Sequence, residues 1–170
     1  MLVRKFNPAT DGPGALAVLR AGIGEQRLAA RRTPAGQQEY RRIELGTTDS
    51  FAAPETWYVA VDGQHIVGVL QLMAEADPRE RLYKSHRLLL IQGLDAYPKR
   101  RGAGTALLEE AKREALRRGR TAIVLQTPTG GDAHTAWYPA RGFRPWPEGD
   151  HRQMSGLILH LDAASSATDL

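Results

Sequence analysis

Residues 88–119, LLLIQGLDAYPKRRGAGTALLEEAKREALRRG, limit what this chain can fold into more than any other stretch. The run His86–Leu94 is apolar at nearly every position, which predicts a strand covered on both faces. Tyr97 precedes Pro98, and the residue before a proline is pushed out of helical dihedrals, so the strand cannot pass straight into a helix. The turn therefore falls on Lys99–Gly104. Beyond it Leu107, Leu108, Ala111 and Ala115 share one stripe of a helix. Glu109–Arg113 and Glu114–Arg118 are spaced as i,i+4 pairs on its exposed side, and Gly119 is its natural stop.

The start of such a helix leaves backbone N–H groups without helical partners and carries a partial positive charge, so residues 100–105 can receive an anion. Gly102 and Gly104 let a phosphate approach the main chain, and Lys99, Arg100 and Arg101 add positive potential. The pattern is neither a P-loop nor a dinucleotide fingerprint, since no third glycine and no lysine-hydroxyl pair follow Gly104. On local grounds two readings stand level: a diphosphate cradle, and a strand-to-helix turn that is basic without a ligand.

With 170 residues, 42% of them hydrophobic, the chain can bury a core as one domain over residues 1–162, followed by a disordered tail at 163–170. There are no cysteines, which excludes disulfides and thiolate chemistry and fits a cytoplasmic setting. No apolar stretch has the length of a membrane span or a signal-peptide core, so no membrane partner is expected. The net charge of +4 and isoelectric point near 9.7 admit nucleic acid. Yet the basic residues are scattered among acidic ones, and aromatics, at 6%, do not interleave with them, which disfavours that partner.

Along the chain, Leu2–Phe6 reads as a first strand. A helix capped by Thr10 or Asp11 runs to about Gly24, and a second covers Pro34–Leu45. Thr56–Val61 and His65–Ala74 flank Asp62-Gly63, the strongest hairpin signal. Arg79–Ser85 is a linker into the central strand, Thr121–Gln126 a β-branched strand beside it, and Arg152–Leu161 a closing strand.

LDAYPKRRGAG followed by TALL resembles the acetyl-CoA-binding motif of the GNAT N-acetyltransferase family, in which a strand residue is followed by Arg/Gln-x-x-Gly-x-Gly/Ala. Lys99 takes the Arg/Gln place, Arg100 and Arg101 the variable ones, and Gly102 and Gly104 the small ones. The resemblance implies that main-chain amides of Arg100, Arg101, Gly102, Ala103, Gly104 and Thr105 hold the pyrophosphate of coenzyme A, and that Gln92, Gly93 and Leu94 pair with its pantetheine arm. It also implies an α/β fold, layered as α+β, with a mixed, mostly antiparallel central sheet flanked by helices. The predicted order of elements along the chain agrees.

A second stretch, Gly130–Trp146, resembles the same family's C-terminal motif, since Tyr138-Pro-Ala-Arg-Gly142-Phe143 has its Tyr-x-x-x-Gly-Phe spacing. The resemblance gives Tyr138 a place beside the cofactor sulfur and the task of protonating the departing thiolate, for which a phenol has suitable basicity. Asp132 can cap the short helix before it, and Pro139 shortens or distorts that helix. Many family members carry a carboxylate base on the central strand. Here Leu88, Leu90 and Gln92 offer none, leaving His86 on the same strand parity, His134 one turn before Tyr138, and Glu75 at the end of the third strand.

The implied activity is transfer of an acetyl group from acetyl-CoA to a primary amine of a small molecule by direct attack, with no metal. The amine would be drawn by Glu25, Glu39, Glu44, Glu148 and Asp150. A sensor or scaffold that binds acyl-CoA without turnover, and an acetyltransferase of aminoacyl-tRNA or protein, are the alternatives. A homodimer is left open.

Overall fold

A computed structural model describes residues 1–30, 53–99 and 101–162, those at 22–30 by their backbone only. In chain order the elements are β1 (Leu2–Lys5), α1 (Gly12–Ala30), β2 (Trp57–Asp62), β3 (His65–Leu72), α2 (Glu80–Ser85), β4 (Leu88–Ala96), α3 (Ala103–Arg117), β5 (Ala122–Pro128), β6 (Arg144–Pro145) and β7 (Met154–His160). The expected second helix at Pro34–Leu45 and the tail at 163–170 lie outside the described residues. The chain divides into two compact units, Met1–Gln71 with Gly93–Leu108, and Leu72–Gln92 with Glu109–Leu170.

In the first unit the strand order is β1-β2-β3-β4, with β1, β2 and β3 antiparallel. Ala15, Val18 and Leu19 of α1 pack with Phe6, Trp57, Val59 and Val69 into one apolar cluster. The helix runs past Gly24 to Ala30, because the good helix formers from Glu25 to Ala30 outweigh two isolated glycines. Asp11 stands at its start, but the carboxylate turns back rather than capping. It accepts hydrogen bonds from Asn7 N at 2.7 Å and from Arg4 at 2.6 and 3.0 Å, and the Arg4 bond holds it below the usual carboxylate range.

The β2–β3 turn is made by Gly63 and Gln64 between the paired Asp62 and His65, one residue later than the sequence suggested, with Gly63 at φ +62. The register shifts between Ala60 and Val61, which pair with Gly68 and Ile66, so Val67 is the extra residue, and its carbonyl accepts from Tyr97 N at 2.9 Å.

In the second unit the order is β4-β5-β7-β6, with β4 and β5 parallel and the remaining pairs antiparallel. The mixed, mostly antiparallel sheet flanked by helices is therefore as expected. The segment expected as a linker before β4 contains α2, and β4 starts at Leu88 rather than His86, since Arg87 at φ +56 breaks the extended chain. Leu89 and Ile91 are buried, Leu88 and Leu90 half-buried and Gln92 exposed, so β4 is not covered on both faces. An unbroken apolar run cannot by itself say whether both faces find partners.

On α3 the stripe Leu107, Leu108, Ala111, Ala115 is fully buried as read from spacing. Arg113 pairs with Glu110, not Glu109, and Glu114 is buried rather than exposed. Charges alternate from the surface inward through Glu75, Arg117, Glu114, Arg118, Glu80 and Arg120. The innermost pair, Arg120 to Glu80 at 2.5 Å, is 4% exposed on each side chain. Arg120 also donates to Leu88 O and Arg118 to Met73 O, which ties α2 and the start of β4 to the end of α3.

Candidate active site

The glycine turn lies in the first unit. Gly102 sits at φ +82 with open space around its Cα, so it is the backbone conformation rather than crowding that demands glycine there. The first helical bond of α3 runs from Ala106 N to Gly102 O at 3.0 Å, which leaves the amides of Ala103 and Gly104 ahead of the i,i−4 ladder. Lys99 and Arg101 are exposed on the approach, Thr105 is exposed one step on, and Arg100 lies outside the described residues.

The start of α3 can come this close to the sheet because Gly68 has no side chain. A Cβ there would meet Leu107 Cδ1 at 2.8 Å, Ala103 Cβ at 3.2 Å and Ala60 Cβ at 3.3 Å. Upstream, Gly93 and Leu94 are half-buried on β4. So is Asp95, which neither family motif singles out. Burial pushes its carboxyl up to about 6, with Lys99 pulling the other way. Its signal was in the sequence: a lone carboxylate set into an apolar strand.

In the second unit the parallel ladder joins Leu88–Leu90 to Ala122–Val124 and stops, while β5 stays paired with β7 as far as Pro128 and Met154. Ile91 and Gln92 carry β4 past the end of that ladder, so the strands part where the predicted pantetheine-pairing segment begins.

Tyr138 closes a π-helical turn, Ala133–Trp137, that passes into a 3-10 turn at Pro139–Arg141. Its N–H donates to Ala133 O at 3.0 Å, and its carbonyl accepts from Arg141 N and Phe143 N. Pro139 has no N–H to place in a ladder, which is why the two turns meet at this residue. The ring is buried, edge-on to Trp137 at 4.9 Å and to Phe143 at 5.1 Å. Gly142 at φ +93 turns the chain so that Phe143 enters the core, hence the Gly-Phe spacing also fixes where the tyrosine ring lies. Asp132 makes no cap bond.

The three base candidates stand differently from their sequence placement. His86 is the exposed C-cap of α2 and not a strand residue. Glu75 lies in a turn beyond the end of β3, ion-paired to Arg117 at 2.8 Å and Arg118 at 3.5 Å. His134 accepts Gly130 N–H on Nδ1 at 2.9 Å, which puts the ring proton on Nε2 and occupies the lone pair that a base would use.

Of the acidic residues expected around the amine, Asp150 is committed to Gly156 N at 2.8 Å and Glu148 is exposed. The side chains of Glu25, Glu39 and Glu44 lie outside the described residues. The loop carrying Asp150 is pinned: Gln126 Nε2 donates to Gly149 O, and Trp146 N donates to Gly156 O at 2.9 Å. Among the described residues no group of three or more acidic or histidine side chains could hold a metal ion, and no helix is long and apolar enough to cross a membrane.

No curated protein matches the chain. Among solved structures it is similar to the PaiA N-acetyltransferase of Thermoplasma acidophilum in complex with coenzyme A, at 13% identity and a TM-score of 0.68, covering 94% of this chain and 98% of that one. It is also similar to the ribosomal-protein-S18-alanine N-acetyltransferase of Escherichia coli, at 16% identity and a TM-score of 0.62, covering 95% and 94%. The N-acetylglutamate synthase of Neisseria gonorrhoeae, complexed with coenzyme A and N-acetyl-glutamate, matches at 15% identity and a TM-score of 0.64, over 95% of this chain but only 35% of that one. At such identities the likeness is one of fold. The sequence profile of the Acetyltransferase (GNAT) family, however, matches residues 23–143. A profile spanning most of the length decides what distant structural likeness alone does not: this chain belongs to the acetyltransferase (GNAT) family.

Proposed function

We propose that the protein is a cytoplasmic, acetyl-CoA-dependent N-acetyltransferase whose acceptor is the primary amine of a small molecule. The observation that carries this is the turn before α3, where a left-handed Gly102 and the amides of Ala103 and Gly104, ahead of the first helical bond, suit a diphosphate. The pyrophosphate of coenzyme A would rest on the main chain from Arg100 to Thr105 with Lys99 adjacent, and pantetheine would pair with Gln92, Gly93 and Leu94.

Acetyl-CoA supplies the thioester carbon that the neutral amine nitrogen attacks as the C–S bond breaks. Main-chain N–H groups polarise the carbonyl, and Tyr138 passes its proton to the departing thiolate. The amine arrives deprotonated, its nitrogen sheds a second proton to water after the attack, and Tyr138 regains its own from solvent, since Glu75, His86 and His134 are exposed, ion-paired or hydrogen-bonded as described above. That engagement also favours the second reading, an acyl-CoA sensor without turnover.

Calorimetric titration with coenzyme A and CoA release over a panel of amines, including an alanyl peptide, separate the two. Gly102→Glu should abolish binding, because it combines a strained φ with a like charge at the seat. Tyr138→Phe should lower kcat on the order of 10²-fold with cofactor affinity unchanged. Binding without release for any amine supports the sensor, and no binding refutes both.

A further inference from the structure

Resting on that reading, one side chain in the first unit has a partner that the cofactor can replace. Arg101, immediately before Gly102, lies 3.9 Å from the carboxylate of Asp62, the last residue of β2. Two other surface pairs among the described residues are closed by hydrogen bonds, Arg79 to Asp77 at 2.8 Å and Lys112 to Glu109 at 2.8 Å. Arg101 and Asp62, 62% and 48% exposed, are held by charge at a distance where no hydrogen bond forms. Among the described residues no hydrogen bond fixes the guanidinium, and either partner can be exchanged for another ion at little cost.

Where that side chain sits narrows the ion it would meet. The amides of Ala103 and Gly104 are available to the pyrophosphate at the helix start, whereas the Arg101 guanidinium stands beside Asp62 at the edge of the β2–β3 turn. Coenzyme A carries one further dianionic group, the 3′-phosphate of its ribose. We propose that Asp62 is the resting counter-ion of Arg101, and that Arg101 leaves it for this 3′-phosphate when the cofactor binds. Asp62 then weakens cofactor affinity, and does so through one guanidinium.

The test is calorimetric titration of the full chain, as wild type, Asp62→Asn, Arg101→Ala and the double variant, each against coenzyme A and against dephospho-coenzyme A. Both side chains are exposed, and unliganded melting curves check that the four proteins fold alike. Asp62→Asn should tighten coenzyme A about two- to fivefold at low salt, the range of an exposed ion pair, with the gain shrinking as salt rises. It should leave dephospho-coenzyme A unchanged. Arg101→Ala should weaken coenzyme A more than dephospho-coenzyme A, and in that background Asp62→Asn should gain nothing.

A gain that persists without Arg101 would mean that Asp62 acts only by its field. An equal gain for dephospho-coenzyme A would mean that the pyrophosphate is the partner. Either result overturns the inference, as does no gain at all. A wild type that binds neither ligand defeats the cofactor assignment itself, which is a separate outcome.

Discussion

Alanine at Gly68 sets two effects of opposite sign against each other. Gly68 has no positive φ to defend, and in an open strand the exchange would stabilise by about 0.5–1 kcal/mol by restricting the unfolded chain. Against that, the added Cβ would stand 2.8, 3.2 and 3.3 Å from carbons of Leu107, Ala103 and Ala60. Carbon atoms in contact rest at about 3.5–4.0 Å, so the worst encounter is short by about 1 Å. Leu107, Ala103 and Ala60 are all buried, which leaves no open side to yield into. Overpacking of this kind costs about 1–3 kcal/mol, so the net effect should be a loss of up to about 2.5 kcal/mol in urea unfolding. Strain is relieved most easily by displacing the first turn of α3, and coenzyme A affinity measured by calorimetry should fall with stability. Gly68→Ala combined with Leu107→Val should be no less stable than Leu107→Val alone, because the shorter side chain makes room. A single variant more stable than wild type, or a double variant losing the sum of both, would refute the steric argument.

Asp95 should leave a mark on stability against pH. Its folded pKa is raised from 3.8 to about 6, so its contribution is full below about pH 4 and is lost as pH rises from there through about 6. At about 1.36 kcal/mol per unit this is at most about 3 kcal/mol, and less because part of the residue remains exposed. Asp95→Asn should flatten the profile from pH 4.5 to 8 and be the more stable protein at pH 8; parallel wild-type and variant curves would contradict this. Glu114 works in a lower window. The Arg117 hydrogen bond, against the opposing effect of burial, holds it at about 2 instead of 4.5, so its contribution is present above pH 4.5 and is lost as acid approaches pH 2. Glu80→Ala should cost about 3–5 kcal/mol by leaving Arg120 buried without its carboxylate, while Glu80→Leu with Arg120→Met should recover most of that. Equal losses in urea unfolding for the single and double variants would show that burial of charge is not the cause.

The three features that made the chain recognisable are all local. The strand before Pro98, the glycine turn and the apolar stripe of α3 depend on dihedral preferences and on spacing along one element, and each appears at or within two or three residues of its expected place. The Gly-Phe step after Tyr138 is of the same kind, and Pro139 alone foretold an irregular turn. The base candidates were less legible because parity holds only inside a strand. One left-handed residue, Arg87, moved the strand start to Leu88 and put His86 outside it.

The lack of cysteine, the hairpin, the apolar stripe of α3 and the glycine turn were settled by the amino acids in their order, since each rests on residue identity or on neighbours a few positions apart. Folding alone decided which charges meet and which are enclosed: Arg101 beside Asp62, Arg120 sealed against Glu80, and Asp95 raised by burial. Those partners are about 40 residues apart for the two ion pairs. Coulomb energy and desolvation depend on distance through space and on the loss of water, neither of which is written along the chain.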